Sequence, residues 1–277
     1  MTALRSLLLH LDASPRSSAR LTLARDLAVR HGARMTALYA CVPSIYTVPF
    51  ALADAGAMVL PVLEQFDRER RDAVRELFDR ATFADISSVR WRELDGEPLM
   101  PAITAHALCA DLLVLGQHDS TQSEQYGVPS DFIASLLIAS GKPALILPYV
   151  DVCVSMGQSV LLAWKPTRES AHAVASALPF LQSAKQIHLV SEGGQGPGSA
   201  AELVAYLRLH GVEAPIERHA ALATEAPGEG LLTCASDQGC DLLVMGCYGH
   251  SRARELVLGG ASQTVLASMT LPVLMAH

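Results

Sequence analysis

Two six-residue words decide how this chain is read: DLLVLG at 111–116 and DLLVMG at 241–246. Each is an acid, an apolar run and a closing glycine. Beyond each lie a loop, an apolar helical pattern and a short apolar end, GKPALILP at 141–148 and TLPVLMAH at 270–277. Pro143 and Pro272 hold matching places in those ends. Upstream, SLLLHLDASPRSS (6–18) is answered by SVLLAWKPTRES (159–170). Self-similarity over such a long period means that one structural unit is used twice. The chain therefore divides into copies at about 1–148 and 156–277, and YVDVCVSMG (149–157) reads as the linker or as the lead-in to the second copy's first strand.

One copy can be read element by element. LLLHL is a buried strand. Ser17 to His31 carries Leu21, Ala24, Leu27 and Ala28 on one helical stripe, and Gly32 suits a left-handed cap. MTALYACV (35–42) is a second strand, the charged segment 65–81 a solvated helix and SSVRWREL (87–94) a third strand. PAITAHALCA (101–110) is a helix, DLLVLG a fourth strand and PALILP a fifth. Near-continuous apolar strands alternating with helices specify a parallel sheet covered on both faces. The expected fold is α/β: two tandem doubly wound five-stranded domains, with ligands beyond the C-terminal strand ends at a topological switch point. The last strands, PALILP and PVLMAH, would be bare sheet edges if left alone, so they are expected to pair with each other. The first copy also carries an apolar insert, PSIYTVPFALADAGAMVLP (43–61). It reads as a loop folded over its own domain, with a lid or a docking surface as the alternative.

Composition narrows the function. The 277 residues are half apolar, only 5% aromatic, and carry a formal net charge of −7. Phosphate neutralisation needs a basic face, so nucleic-acid binding is not the expected task. No apolar run reaches the ~20 residues of a membrane helix. The opening MTALRSLLLHLDASPRSS lacks a basic leader and a cleavage site, and reads as a first strand. Six cysteines without a CxxC pair fit reduced thiols and a cytoplasmic setting.

The chemistry is expected in GCYGHSRARELVLGGAS (246–262). Gly246 ends a strand, and Gly249 follows in the turn. Gly259, Gly260 and Ser262 open the last helix, where unpaired N–H groups and the helix dipole favour an anion. Glycines let backbone approach phosphate oxygens without a Cβ in the way. His250, Arg252 and Arg254 add cationic character. An ordinary strand–loop–helix turn, with glycines chosen for backbone angles alone, accounts for the spacing equally well. The pattern is neither a Walker A loop nor a dinucleotide fingerprint.

The stretch from DLLVMG to the C-terminal histidine resembles the signature of the universal stress protein family: G, two residues, G, nine residues, G, then Ser or Thr. Gly246, Gly249 and Gly259 match it. Gly260 stands where the hydroxyl residue is expected, and Ser262 matches the second serine. The resemblance covers the chain as a tandem pair. It implies an ATP site, with or without Mg²⁺, lined by Ala163, Trp164, Lys165, Met245, Gly246, Gly249, Gly259, Gly260, Ala261 and Ser262. The copies depart from the pattern differently. The first keeps the family's acid, Asp12, with Ser14 and Ser17. Its loop GQHDSTQSEQYGVPSD (116–131) has Asp119 for the second glycine and Ser130–Asp131 for the later pair, and carboxylates there repel triphosphate. The second keeps the glycines but carries Lys165 in place of the acid.

Other groupings carry less. Cys247 and His250 are two donors where a tetrahedral zinc site needs four. His10 reads as a packed histidine, and Ser14 and Ser17 as helix caps. EGGQGPGS (192–199) reads as a loop. There are no paired catalytic carboxylates, Cys–His dyad or nucleophile elbow, so at most slow ATP hydrolysis is expected. The expected function is a cytoplasmic, nucleotide-binding regulator of stress tolerance. A weak ATPase or nucleotide-using enzyme, and an interaction module without nucleotide, remain open alternatives. Intramolecular pairing of the copies, a homodimer and an unknown protein client are the partners in view.

Overall fold

The computed structural model describes residues 4–46, 52–81, 83–86, 88–94, 98–119, 127–150, 156–191, 196–219, 226–247 and 260–277. The chain divides into two compact units, Leu4–Ser140 and Gly141–His277. Each is an α/β body built on a mostly parallel sheet.

In Leu4–Ser140 the strands are β1 (Ser6–Leu11), β2 (Arg34–Tyr39), β3 (Val89–Glu93) and β4 (Leu112–Gly116). They lie in the order β3-β2-β1-β4, all parallel. The helices are α1 (Ser17–His31), α2 (Leu52–Arg80), α3 (Leu99–Ala107) and α4 (Phe132–Ser140). Leu7, Leu9, Leu11, Leu112 and Leu113 are buried on the central strands, as expected of a sheet covered on both faces. Helix α1 ends as its sequence requires: Gly32 takes φ 61°, and its N–H bonds back to the Ala28 and Val29 carbonyls. The insert departs from expectation. Its second half is not a loop but the start of α2, which continues from Leu52 through Pro61 to Arg80.

Unit Gly141–His277 contains β5 (Ala144–Leu147), β6 (Ser159–Trp164), β7 (Gln186–Ser191), β8 (Ile216–His219), β9 (Leu242–Gly246) and β10 (Val273–Ala276). Its helices are α5 (Arg168–Leu181), α6 (Ala200–Leu209), α7 (Pro227–Asp237) and α8 (Ala261–Ser268). The order is β5-β10-β9-β6-β7-β8. Strands β6 to β10 are parallel, while β5 runs antiparallel to β10, with Ile146 opposite Val273 and Leu145 opposite Leu274. The two terminal strands thus pair as expected. Strand β5 belongs to the first sequence repeat but lies in the compact unit of the second.

The aspartates that open the two DLLV words have a structural task. Asp111 Oδ2 accepts the Arg5 and Ser6 N–H groups at 2.8 and 2.9 Å. Asp241 accepts from Gly157, Gln158 and Ser159 at 2.9, 3.1 and 3.0 Å. In both units the acid also donates its own N–H to the neighbouring strand, Asp111 to the Ser6 carbonyl and Asp241 to that of Ser159. A carboxylate thereby clamps the start of the first strand to the start of the fourth, with hydrogen bonds strengthened by its charge. Asp241 serves three donors in a half-buried setting and Asp111 two exposed ones. Asp241→Ala should therefore cost about 1–3 kcal/mol, and Asp111→Ala less. Urea denaturation of both variants checks this, and an equal or reversed ranking would contradict the clamp.

Candidate functional site

In each unit the strand order reverses beside the first strand, between β1 and β4 and between β6 and β9. Open α/β sheets form ligand crevices outside the carboxyl ends of strands at such points. Asp12 and Gly116 stand at the first switch point. At the second, the β6–β9 register pairs Leu162 with Val244; continued two residues, it brings Trp164 level with Gly246.

The first switch point is filled from within. Asp12 and Arg20 are both buried, and Arg20 Nη2 lies 2.7 Å from Asp12 Oδ1. The same nitrogen donates to Ser17 Oγ at 2.7 Å, and the Ser17 hydroxyl reaches the Asp12 carbonyl at 2.6 Å. The Ser14 N–H donates to Asp12 Oδ1 at 2.9 Å. The cap assignment of these serines is therefore corrected: α1 has no side-chain cap, because both serines are turned onto the carboxylate and guanidinium. Arg20 also covers the loop glycine, since a Cβ built on Gly116 would fall 1.7 Å from Arg20 Nη1. The guanidinium occupies the space where this end of the strand would meet a ligand.

Charges around this pair follow from its burial. Desolvation alone would raise the Asp12 pKa, but Arg20, then His10 and the Ser14 hydrogen bond, hold the carboxyl well below the usual carboxylate range. Burial lowers His10 to about 4 against the pull of Asp12, so its ring is neutral at pH 7. One ring nitrogen lies 2.8 Å from the Ala40 carbonyl and the ring packs on Phe132, the packed histidine expected from sequence. Burial, reinforced by the Asp12 charge, pushes the Cys41 thiol up to about 12. No disulfide joins the five described cysteines. The loop beyond Gly116 is partly described: Gly127, at φ 67°, gives its carbonyl to the Val42 N–H, and Asp131 accepts from Ser135 Oγ at the head of α4.

The second switch point is built differently. Counting from Ser6 and Ser159, the place of Asp12 is taken by Lys165, which is exposed, and that of Arg20 by the buried Ala173. Thr167 caps α5 by accepting from the Ser170 N–H. A Cβ on Gly246 would fall 2.5 Å from the Ser170 nitrogen and 2.6 Å from the Glu169 carbonyl carbon. That glycine is needed for α5 to approach the end of β9, a packing role. Met245 and Cys247 on either side are buried. The Trp164 indole N–H donates to the Gly198 carbonyl at 2.7 Å and fixes the turn after β7. Helix α8 starts on Gly260, which is extended (φ −60°, ψ 159°) and provides no side-chain cap; Ala261 and the buried Ser262 follow. Because α8 leads into β10, parallel to β9, its N-terminus faces the carboxyl ends of the strands. The structure thus brings Lys165, Gly246 and Gly260–Ser262 to one end of the sheet. Gly249, Gly259, His250, Arg252 and Arg254 lie outside the described residues, as do Cys153 and residues 192–195.

Two histidines missed in the sequence belong to this end. His172 Nδ1 lies 3.0 Å from the His277 carbonyl, and His277 Nδ1 lies 3.2 Å from the Cys247 carbonyl. A carbonyl can only accept, so each ring carries its hydrogen on Nδ1. Nothing in the local pattern around His172 announces a contact with the last strand.

Residues 156–277 match the model of the universal stress protein family. The second unit thus carries a universal stress protein domain. A universal stress protein of Synechocystis is 27% identical over 174 residues, covering 59% of this chain and 57% of the relative. The match thus spans little more than half of that protein's length. A universal stress protein from Archaeoglobus fulgidus has the same fold across 98% of this chain and 95% of its own, with a TM-score of 0.69 at 15% identity. A putative universal stress protein from Pseudomonas aeruginosa covers 99% of this chain and 93% of its own, with a TM-score of 0.54 at 14% identity. These two likenesses extend the universal stress protein fold over both units. No helix among the described residues is long and apolar enough to cross a membrane.

The Asp12–Arg20 pair yields a sign that can be tested. A carboxylate with a depressed folded pKa contributes stability above its unfolded value of about 3.9, and that contribution is lost as pH falls below it. Arg20→Met leaves Asp12 buried without its cation and should cost about 3–5 kcal/mol near pH 7. The gap from the native chain should narrow toward pH 3, where Asp12 takes up a proton in the variant. Chemical denaturation at several pH values measures it, and a gap independent of pH would exclude the ion pair as its source.

Proposed function

We propose that the second unit binds an adenine nucleotide, ATP, at the carboxyl ends of β6 and β9, and that the chain is a nucleotide-responsive stress-tolerance protein rather than a dedicated catalyst. The observation that carries this reading is the contrast between the switch points. The first is occupied by its own arginine, whereas no described side chain fills the second in that way. Its acid is replaced by exposed Lys165, and α8 opens there on Gly260 without a side-chain cap. A helix N-terminus and a lysine at one strand end form an arrangement suited to phosphate. Under this reading Gly249, Gly259, Gly260, Ala261 and Ser262 cradle the phosphates, and Lys165 supplies the counter-charge. Ala163, Trp164, Met245 and Gly246 form the strand-end floor.

One observation favours the interaction-module reading: Gly246 and Trp164 are already used to hold α5 and the turn after β7. Calorimetric titration with ATP separates the two. The nucleotide reading expects saturable binding, weakened at least tenfold by Gly260→Val, where a branched side chain would stand between phosphate and backbone. Lys165→Ala should cost about 1–3 kcal/mol of binding, the scale of a charged hydrogen bond. Asp119→Ala should leave affinity unchanged. No heat of binding with any of these proteins would favour the interaction module.

A further inference from the structure

Strands β7 and β8 lie side by side at the far end of the second unit's sheet, with β8 outermost. Their parallel register sets His188 opposite Glu217 and Val190 opposite His219. Residues level with one another on parallel strands face the same way, and side chains two apart on one strand do so too. His188, Glu217 and His219 therefore share one face of the sheet edge. His188 Nδ1 lies 3.0 Å from His219 Nε2 and 3.6 Å from Glu217 Oε2. One donor atom from each of the three falls within 4.8 Å of the others. The cluster grades from a buried histidine to a largely exposed carboxylate, so it is anchored at one end and reachable from solvent at the other.

We propose that His188, Glu217 and His219 form a binding site for a late first-row divalent ion, of which Zn²⁺ is the probe. The chemistry is that of two imidazoles and one carboxylate, a donor set suited to zinc, with a fourth position left for water. A tetrahedral ion with bonds of about 2.0–2.2 Å holds its donor atoms roughly 3.3 Å apart. The two separations at His188, 3.0 and 3.6 Å, bracket that spacing, and the third pair of donor atoms lies within 4.8 Å. In the metal-free protein the two rings share a single hydrogen between facing nitrogens. Coordination requires both nitrogens to offer lone pairs, which a shift of that hydrogen to the outer nitrogen of the donor ring supplies. Bound metal would fasten the outermost strand β8 to β7 by side-chain bonds in addition to the backbone ladder.

The test is calorimetric titration of the full chain with Zn²⁺ under reducing conditions, paired with thermal unfolding. The expected result is one ion per chain at this site and a rise in unfolding temperature on adding zinc. His219→Ala and Glu217→Gln, both changes on the outer strand, should each weaken that binding at least tenfold and abolish most of the thermal shift. Far-ultraviolet circular dichroism confirms that each variant is folded. Zinc affinity and thermal shift unchanged in either variant would overturn the proposal by placing the ion elsewhere, such as on thiols.

Discussion

A carboxylate placed one residue before a buried strand holds each of the two sheets in register. Asp111 and Asp241 each take backbone N–H groups from the start of the neighbouring first strand and return their own N–H to it. A parallel ladder of apolar side chains has few features that oppose a slip, because Leu and Val pack nearly as well one step along. The acid removes that freedom at the amino end. Everything at the carboxyl end inherits the result, including which residue stands beside Gly116 or Gly246.

From that common frame the two units diverge at the place where a ligand would enter. The first retains an acid and pairs it internally. Removing an aspartate and an arginine from water is costly unless both find partners; here Asp12, Ser14 and Ser17 engage Arg20 through Nη2, while its buried Nε has no hydrogen-bond partner. The second removes both members, putting Lys165 and Ala173 at those positions, and brings the helix backbone itself against the strand-end glycine. The first copy thus fills this strand end with its own buried ion pair, while the second places an exposed lysine there. The proposed metal cluster is independent of this division, since it lies on the outer strands β7 and β8.

Much of the architecture was legible because it repeats. The DLLV words, the flanking prolines and the apolar alternation placed the strands, and Gly32 marked the end of α1. The pairing of the last strands followed from the rule that bare edges are avoided. What escaped was non-local or ambiguous. The apolar insert at 43–61 reads apart from the charged helix at 65–81, whereas one helix, α2, runs from Leu52 through Pro61 to Arg80. Ser14 and Ser17 have the composition of caps, and only the position of Arg20 across a turn shows that they serve a buried charge. His188 and the Glu217–His219 pair are far apart in sequence, and strand register alone brings them together. At the glycine loop the sequence could identify the family but could not distinguish packing from binding. For Gly246, the structure shows packing.

The placement of β5 has a consequence for the order in which the protein can be made. Residues 144–147 emerge from the ribosome shortly after the first unit is complete, yet they are paired with residues 273–276. Every other strand of that unit is synthesised in between. Through this interval an apolar four-residue segment, ALIL, has no β10 to align with, and an unpaired strand edge of this kind invites association with other chains. Closing the ladder is a late, long-range event, slow by its contact order. The nascent chain therefore carries its own aggregation hazard until translation reaches β10, and shielding of ALIL by a chaperone would matter most during that interval.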